Sequence, residues 1–229
     1  MRRIPGLLLI FGWCLTAIPP GGIGWTAEPT DSAPTISVQQ PSVDDWSQFR
    51  GPGGQGHSIA EELPLNWSES NNVTWKSAIE GTGWSSPVTR GKQIWLTTAI
   101  NQGKSLLVIC LDRATGRQRH RIAIFASQMT RGLHPKNSHA SPTPILEGDR
   151  VYVVANRSEI LCLDTEGLKN GNQGFQGEGK FMVDKGKEPL EPKDTDADVI
   201  WRFDLREELG VFPHNIASSS VLILGDLLF

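Results

Sequence analysis

The strongest constraint on the fold is an internal repeat with a spacing of about 50 residues. The segment SSPVTRGKQIWLTTA, residues 85–99, aligns with SPTPILEGDRVYVVA, residues 141–155, when Gly91 is placed on Gly148. A third copy starts in ASSSVLILGDLLF, where Gly225 takes the same place. The first two copies continue into the related segments LLVICLDRATG and EILCLDTEG. The fold must therefore place similar units at successive, equivalent positions.

Each copy carries the signals of short antiparallel strands joined by turns. Small residues precede a glycine turn, and apolar strands follow it. A last strand is predicted in VTWKSAI, RHRIAIF and VIWRFDL. Four such strands make one blade of a β-propeller, where stacking buries the faces of each sheet. We therefore expect an all-β fold, a β-propeller of four-stranded blades, with a sandwich of hairpins as the alternative.

The chain holds about two blades and part of a third, whereas a closed ring usually needs about four to eight. We therefore expect an incomplete propeller, either a fragment of a longer one or a truncated gene product. The blades are predicted over residues 46–229. A loop insertion over residues 166–198 interrupts the second copy and is rich in Gly, Lys, Glu and Asp. We expect this insertion to be a lid or a disordered segment that offers a surface to a partner.

The N-terminus has the pattern of an export signal. Arg2 and Arg3 precede the apolar run IPGLLLIFGWCLTAI, which prolines and glycines end. A run of about 15 apolar residues is short for a membrane span. We predict a signal peptide over residues 1–27, export to the periplasm or cell surface, and no membrane span beyond the signal. An uncleaved anchor and a lipoprotein attached at Cys14 are the alternatives. Residues 28–45 predict a disordered linker.

Charge and cysteine content narrow the classes of function. The formal net charge of -3 gives no reason to expect nucleic-acid binding. Cys110 and Cys162 occupy the same place in two copies, which favours a shared structural role over a disulfide. The stretch WSQFRGPGGQG, residues 46–56, contains G-x-G-x-x-G, but the polar residues before it do not form a buried strand. It is therefore interpreted as a turn, not as a dinucleotide-binding loop.

Candidate ligand-binding side chains lie just before two predicted inner strands, in LHPKNSHASP and VFPHNIASS. They are His134, Asn137, His139, His214 and Asn215. Loops of successive blades converge at one mouth of a propeller, so these side chains could bind a small polar ligand, a metal or a protein partner there. The alternative is that they satisfy backbone groups in tight loops.

Two further sets of residues favour structural roles. The D-x-D-x-D run of Asp194, Asp196 and Asp198 lacks the Gly and Glu of an EF-hand loop, so it is a weak metal candidate and is interpreted as a solvated acidic loop. The recurring tryptophans suggest sugar or quinone stacking, but packing between blades is the commoner use. They are Trp67, Trp75, Trp84, Trp95 and Trp201.

The segment CLDRATGRQRHRIAIF resembles the repeat of quinoprotein-type propellers, in which an L-D-x-x-T-G-x-x-x-W turn closes each blade. Leu111, Asp112, Thr115 and Gly116 match this turn, while His120 or Ile122 replaces the terminal tryptophan. Together with W-x-Q-F-R-G-P-x-G-x-G, GWSSPV and HPKNSHASPTP, it resembles a bacterial family of exported PQQ-binding-like, or PQQ-repeat, proteins. In such turns the Asp and Thr side chains cap backbone N–H groups, and glycine supplies a positive φ.

The resemblance implies an exported, non-catalytic β-propeller that acts as a binding or assembly scaffold, similar in repeat type to the propeller lipoprotein of the outer-membrane assembly machinery. The alternatives are a fragment of a PQQ-dependent dehydrogenase, with PQQ and calcium as cofactors, and a polysaccharide-binding module. Dehydrogenases of this type commonly carry a vicinal cysteine pair, and this chain has no adjacent cysteines. No nucleophile elbow or zinc-protease helix motif is present in the sequence.

Overall fold

The computed structural model describes residues 45–125, 133, 136–155, 159–183, 186–211 and 218–229. The chain forms two compact units. One unit runs from Pro41 to Val221, and the described part of the other is Leu222–Phe229. The predicted signal peptide, and the predicted linker up to residue 44, lie outside the described residues.

The larger unit contains two four-stranded antiparallel sheets, each a meander in chain order. The first sheet consists of β1 (Val88–Arg90), β2 (Gln93–Ile100), β3 (Ser105–Asp112) and β4 (Gln118–Phe125). The second consists of β5 (Ile145–Glu147), β6 (Arg150–Ala155), β7 (Glu159–Asp164) and β8 (Val199–Asp204). Helices in the described residues are short, with α1 at Glu178–Phe181 and α2 at Leu205–Leu209. The predicted all-β class is confirmed.

The two sheets repeat each other residue by residue. Trp95 pairs with Val88 and Cys110. Tyr152, its counterpart, pairs with Ile145 and Cys162. A β-bulge follows each cysteine, between β3 and β4 and again between β7 and β8. The alignment of the first two copies is therefore confirmed at the level of strand register.

The smaller unit contains the first hairpin of the predicted third copy. Its strands are β9 (Ile223–Leu224) and β10 (Leu227–Leu228). Gly225 opens the two-residue loop with φ 57°, as Gly148 does with φ 57° and Gly91 with φ 53°. A positive φ at the first loop position favours glycine because it has no Cβ. The first hairpin therefore has the same loop length and glycine conformation in all three copies.

The sheets of the larger unit pack face to back. Trp95, Val108 and Ile122 share one face of the first sheet and belong to a buried core that includes Val151 and Leu161 of the second. Val151 is the counterpart of Ile94, which lies on the opposite face of the first sheet. That opposite face forms a separate cluster of Leu107, Ile109 and Leu111 with Ile94 and Leu96. The first sheet therefore meets the second with its Trp95 face, and the second sheet meets the first with the face that corresponds to the opposite, Ile94 face.

A line of backbone-to-hydroxyl hydrogen bonds crosses all three copies beside the innermost strands. The Ser86 N–H donates to Thr143 Oγ1 at 3.0 Å, and the Thr143 N–H donates to Ser220 Oγ at 2.9 Å. These three residues are equivalent in the alignment, since each lies five residues before its hairpin glycine. We call this line the hydroxyl ladder. Small hydroxyl residues here let adjacent copies approach within hydrogen-bonding distance.

The inner edges of both sheets are joined by the segment Asp45–Ser47. Trp46 forms an antiparallel bridge with Thr89 of β1. The next residue, Ser47, accepts a hydrogen bond from the Leu146 N–H of β5 at 2.8 Å. One segment thus covers edge groups of two neighbouring sheets, which would otherwise be open to pairing with other chains.

The outer edge of the first sheet is met by the insertion at residues 166–198, which we call the outer strap. Arg121 of β4 forms a parallel bridge with Asp196. The Arg121 N–H donates to Thr195 O, and the Ala197 N–H donates to Arg121 O, both at 3.0 Å. The strap leaves the second sheet after β7 and returns to it at β8, so it ties the two sheets together.

The described part of the outer strap is neither a detached lid nor a solvated acidic loop. Phe175 and Phe181 pack against the shared core. Asp196 and Asp198 are buried, which contradicts the interpretation of the aspartate run as solvated, although Asp194 is exposed. Both buried aspartates accept backbone hydrogen bonds, from Lys193 and Gln173 respectively. Their side chains thus replace water as partners of the strap backbone.

The segment VTWKSAI is the first of the three that were predicted to form a last strand. It forms no strand, because its backbone has no ladder partner among the described residues. It nevertheless lies against the first sheet. Trp75 Nε1 donates to Arg113 O at 2.9 Å, and the Ser77 hydroxyl bonds to Gly116 O. The Trp75 ring lies where a Cβ on Gly116 would be. The segment therefore packs on the turn that connects β3 to β4.

The tryptophans divide between packing and exposure. Trp95 is fully buried in the shared core, and the Trp201 ring lies 6.0 Å from that of Tyr152. Trp67 and Trp84 are 65% and 54% exposed, so the prediction of packing between blades is wrong for these two. The neighbouring residues follow this division, since Trp95 lies between Ile94 and Leu96, whereas Trp67 and Trp84 have small or polar neighbours.

Both cysteines of the repeats are free and buried. Burial raises the pKa of the Cys110 thiol and of the Cys162 thiol, each to about 12. We expect neither thiol to react with a thiol-specific disulfide reagent at pH 8 in the folded chain, and both to react in denaturant. Reaction of either thiol without denaturant would contradict their buried placement.

Candidate functional site

The Asp-containing turn of the first sheet has the geometry that the resemblance implies. Asp112 Oδ1 accepts from the Thr115 N–H at 3.0 Å and from the Thr115 hydroxyl at 2.9 Å. Gly116 has φ 69° and donates its N–H to Asp112 O. The Thr115 hydroxyl is the main reason that the pKa of Asp112 lies below its usual range. The hydrogen-bonding oxygens of this turn are thus used to order the connection between β3 and β4.

An open cavity of about 600 Å³ lies at the other end of the first sheet, where β2 and β3 are connected. Its wall includes Thr82, Asn101, Gln102 and His139. Thr82 is held there by an antiparallel bridge to Ala99, at the end of β2. Segments before β1, between β2 and β3, and before β5 therefore meet at one place, as loops at the mouth of a propeller are expected to do.

The connection between β2 and β3 is strained. Asn101, Gln102 and Gly103 have φ values of 53°, 59° and 85°. Positive φ is uncommon for residues other than glycine and costs about 1–3 kcal/mol at positions where the surroundings impose it. Strain of this kind concentrates at binding sites, and the connection forms one wall of the cavity.

His139 forms the neighbouring wall. Its ring occupies the space that a Cβ on Gly103 would fill, so a side chain at that position would collide with the imidazole. Nδ1 is buried and has no partner among the described residues. Burial lowers the pKa of His139, which favours the neutral imidazole with one donor and one acceptor nitrogen. A neutral histidine of this kind can recognise a small polar group.

Asn137 has a structural role instead. Its Oδ1 accepts from the Ser138 N–H at 2.8 Å and from the Ser141 hydroxyl at 2.6 Å. The Ser138 hydroxyl in turn accepts from the Trp84 N–H at 3.2 Å. Asn137 thus orders the loop that carries His139. The other candidates, His134, His214 and Asn215, lie outside the described residues.

The side chains of the described ranges contain no cluster of acidic, histidine and cysteine metal ligands. No group of three or more His, Cys, Asp or Glu residues among them could hold a metal ion. The aspartate run does not converge, because Asp194 is exposed while Asp196 and Asp198 accept hydrogen bonds from different parts of the strap.

The sequence singled out His139, which lines the cavity, but not the strained connection beside it. The available signal was weak: NQG places Asn and Gly, which tolerate positive φ, on either side of Gln102. In the described ranges no helix has the length and apolar character needed to cross a bilayer. The sequence matches no protein-family model and no curated protein.

Proposed function

We propose that the protein is an exported, non-catalytic β-propeller of the PQQ-repeat type that binds a small polar ligand or a protein partner at the His139 cavity. Export rests on the predicted signal peptide, and the family assignment rests on the resemblance of the repeat and its Asp-Thr-Gly turn. The binding role rests on the cavity and on the unpartnered imidazole nitrogen beside it.

The observation that carries the propeller part is the hydroxyl ladder. Equivalent residues of the first two copies each donate a backbone N–H to the hydroxyl of the equivalent residue in the next copy. A step that is repeated with unlike faces in contact is heterologous, and heterologous stacking leads to a ring or an open array. A sandwich would bring only two sheets together, face to face, and would not require a third equivalent position.

The placement of Trp75 supports the same arrangement. Trp75 covers Gly116 in the turn of the first sheet, and His120 of β4 covers Gly167 in the corresponding turn of the second. His120 is on a fourth strand, so this match supports Val73–Ile79 as the counterpart of a fourth strand that precedes the first sheet. It thereby supports a blade pattern on both sides of the first sheet.

The binding role is tested by thermal unfolding of the full chain in the presence of defined probes. We would use a set of oligosaccharides, a set of short peptides, and PQQ with Ca²⁺. A probe that raises the Tm of the wild type is expected to lose that effect in His139→Ala, because the variant removes the wall of the cavity. It should keep its effect in His57→Ala, since His57 is exposed and remote in sequence.

Each outcome bears on the proposal. Loss of the Tm shift in His139→Ala alone supports the cavity as the site. An equal shift in both variants would place binding elsewhere and contradict it. Dye-linked oxidation of alcohols or aldoses with PQQ and Ca²⁺ would identify the chain as an oxidoreductase instead.

A further inference from the structure

His120 lies inside the contact between the first sheet and the outer strap. It is fully buried on β4, opposite Cys110 of β3. Its ring stacks on that of Trp95, with centroids 6.3 Å apart and planes 25° apart. The corresponding position of the second sheet is Trp201, which pairs with Cys162. The chain thus places an ionisable ring where the other copy has an apolar one.

The start of the strap packs on this imidazole, and the end of the strap lies beside that start. Gly167, at the start of the strap, is so close that an added Cβ would lie 2.9 Å from His120 Nδ1 and 2.9 Å from Asp196 O. Asp196 is near the end of the strap and bridges to Arg121, the residue after His120. Any change in the size or hydration of the His120 ring therefore acts on the strap directly.

Neither nitrogen of His120 has a partner among the described residues, although both are buried. A neutral imidazole tolerates this placement better than a cation does, because an imidazolium must keep two N–H donors and a charge away from water. Four charged side chains act on the ring. Arg119 of β4 and Lys169 of the strap disfavour the cation, while Glu166 and Asp164, at the end of β7, favour it.

We propose that His120 is a pH-dependent contact, which holds the outer strap against β4 only while its imidazole is neutral. Protonation would favour hydration of the ring, and the strap packs directly on the ring at Gly167. Release of the strap would free the backbone groups of Arg121 and open part of the β4 edge to a strand from another chain. This inference does not depend on the ligand proposed for the His139 cavity.

Burial is the largest cause of the lowered pKa of His120, and the sign of the pH effect follows from that shift. The folded-state pKa lies below the unfolded value of 6.5. The stability that comes from a neutral His120 is therefore fully present above pH 6.5 and is lost as the pH falls through the folded-state pKa. The strap should be tightest in neutral solution.

The test is hydrogen exchange of the full chain, corrected for intrinsic rates, at pH 7.5 and at pH 5. The reporters are the Arg121 and Ala197 amides, which form the strap contact, and the reference is the Val108 amide in the centre of the first sheet. We expect the protection of the strap amides to fall by about tenfold at pH 5 relative to the reference. In His120→Trp, which copies the residue of the second sheet, the ratio should not change with pH.

The control is His57→Gln, an exposed histidine, which should behave as the wild type does. An unchanged ratio in the wild type would overturn the proposal. An equal fall in His120→Trp would also overturn it, because another group would then release the strap. If His120→Trp does not fold, an NMR titration of His120 in the wild type decides the question. The midpoint of this titration must coincide with the midpoint of strap release, and a mismatch would contradict the proposed role of His120.

Discussion

Replacing Trp95 with alanine is expected to lower the free energy of unfolding by about 3–5 kcal/mol. Trp95 is fully buried, stacks on His120, and donates from Nε1 to Gln93 Oε1 at 2.9 Å. Truncation leaves a cavity in a core to which both sheets contribute. It also leaves Gln93 without one partner. Chemical denaturation followed by circular dichroism measures the change.

The shared core adds a second expectation for Trp95→Ala. Amides of β6 and β7 in the second sheet should lose protection from hydrogen exchange together with those of β2 and β3. Loss confined to the first sheet would contradict face-to-back packing in one core. Tyr152→Ala is the matched control, because Tyr152 has the same strand register but is only partly buried. Its effect should be clearly smaller.

The second large effect is expected for Asp198→Asn, which should stabilise the chain at pH 7 by about 1–3 kcal/mol. Asp198 is buried; Oδ2 accepts from the Gln173 N–H at 3.1 Å, while Oδ1 has no partner among the described residues. Burial is the main reason that the pKa of Asp198 rises from 3.8 to about 6; Glu178 and Asp164 add to the rise and Arg150 opposes it. An asparagine keeps the acceptor and carries no charge.

The pH dependence of this effect has a definite sign. Because the folded-state pKa of Asp198 lies above the unfolded value, the folded chain binds more protons between pH 4 and pH 6. Stability from this group therefore falls as the pH rises through that window, and the advantage of Asp198→Asn should vanish near pH 4. Asp194→Asn changes an exposed carboxylate of the same run and should have little effect. A less stable Asp198→Asn at pH 7 would contradict the argument.

The repeat was predictable because it depends on local patterns. Hairpin glycines, the alternation of apolar residues, and the Cys-Leu-Asp match fix the strand register, and Trp95 and Tyr152 occupy the corresponding positions that the alignment implies. For the residue that replaces the terminal tryptophan of the turn motif, the sequence left two candidates, His120 and Ile122. The strand register assigns this position to His120, because His120 pairs with Cys110 as Trp201 pairs with Cys162.

The outer strap was not predictable from composition. Charged, glycine-rich sequence normally indicates solvated chain, because burying a carboxylate without partners is costly. Here Asp196, Asp198 and Glu178 are buried because backbone N–H groups of the strap and of β8 need acceptors. Composition does not reveal which carboxylates will meet such donors, since the donors to Asp198 and Glu178 lie 25 and 21 residues away in the chain.

The candidate site was predictable in part. His139 was found because it precedes an inner strand, and Asn137 was assigned to the same group for the same reason. The sequence could not separate their roles. Asn137 accepts hydrogen bonds from Ser138 and Ser141 and so orders its own loop. The ring of His139 instead packs against Gly103, in the connection between β2 and β3.

The bridge from Asp45–Ser47 to both inner edges has a consequence for the order of assembly. Trp46 can pair with β1 early, but Ser47 must wait for Leu146, about a hundred residues further along the chain. Closing so long a loop carries a high entropic barrier, so this contact should form late. Asp45–Ser47, the first part of the described residues to be synthesised, would then be among the last to reach its native contacts.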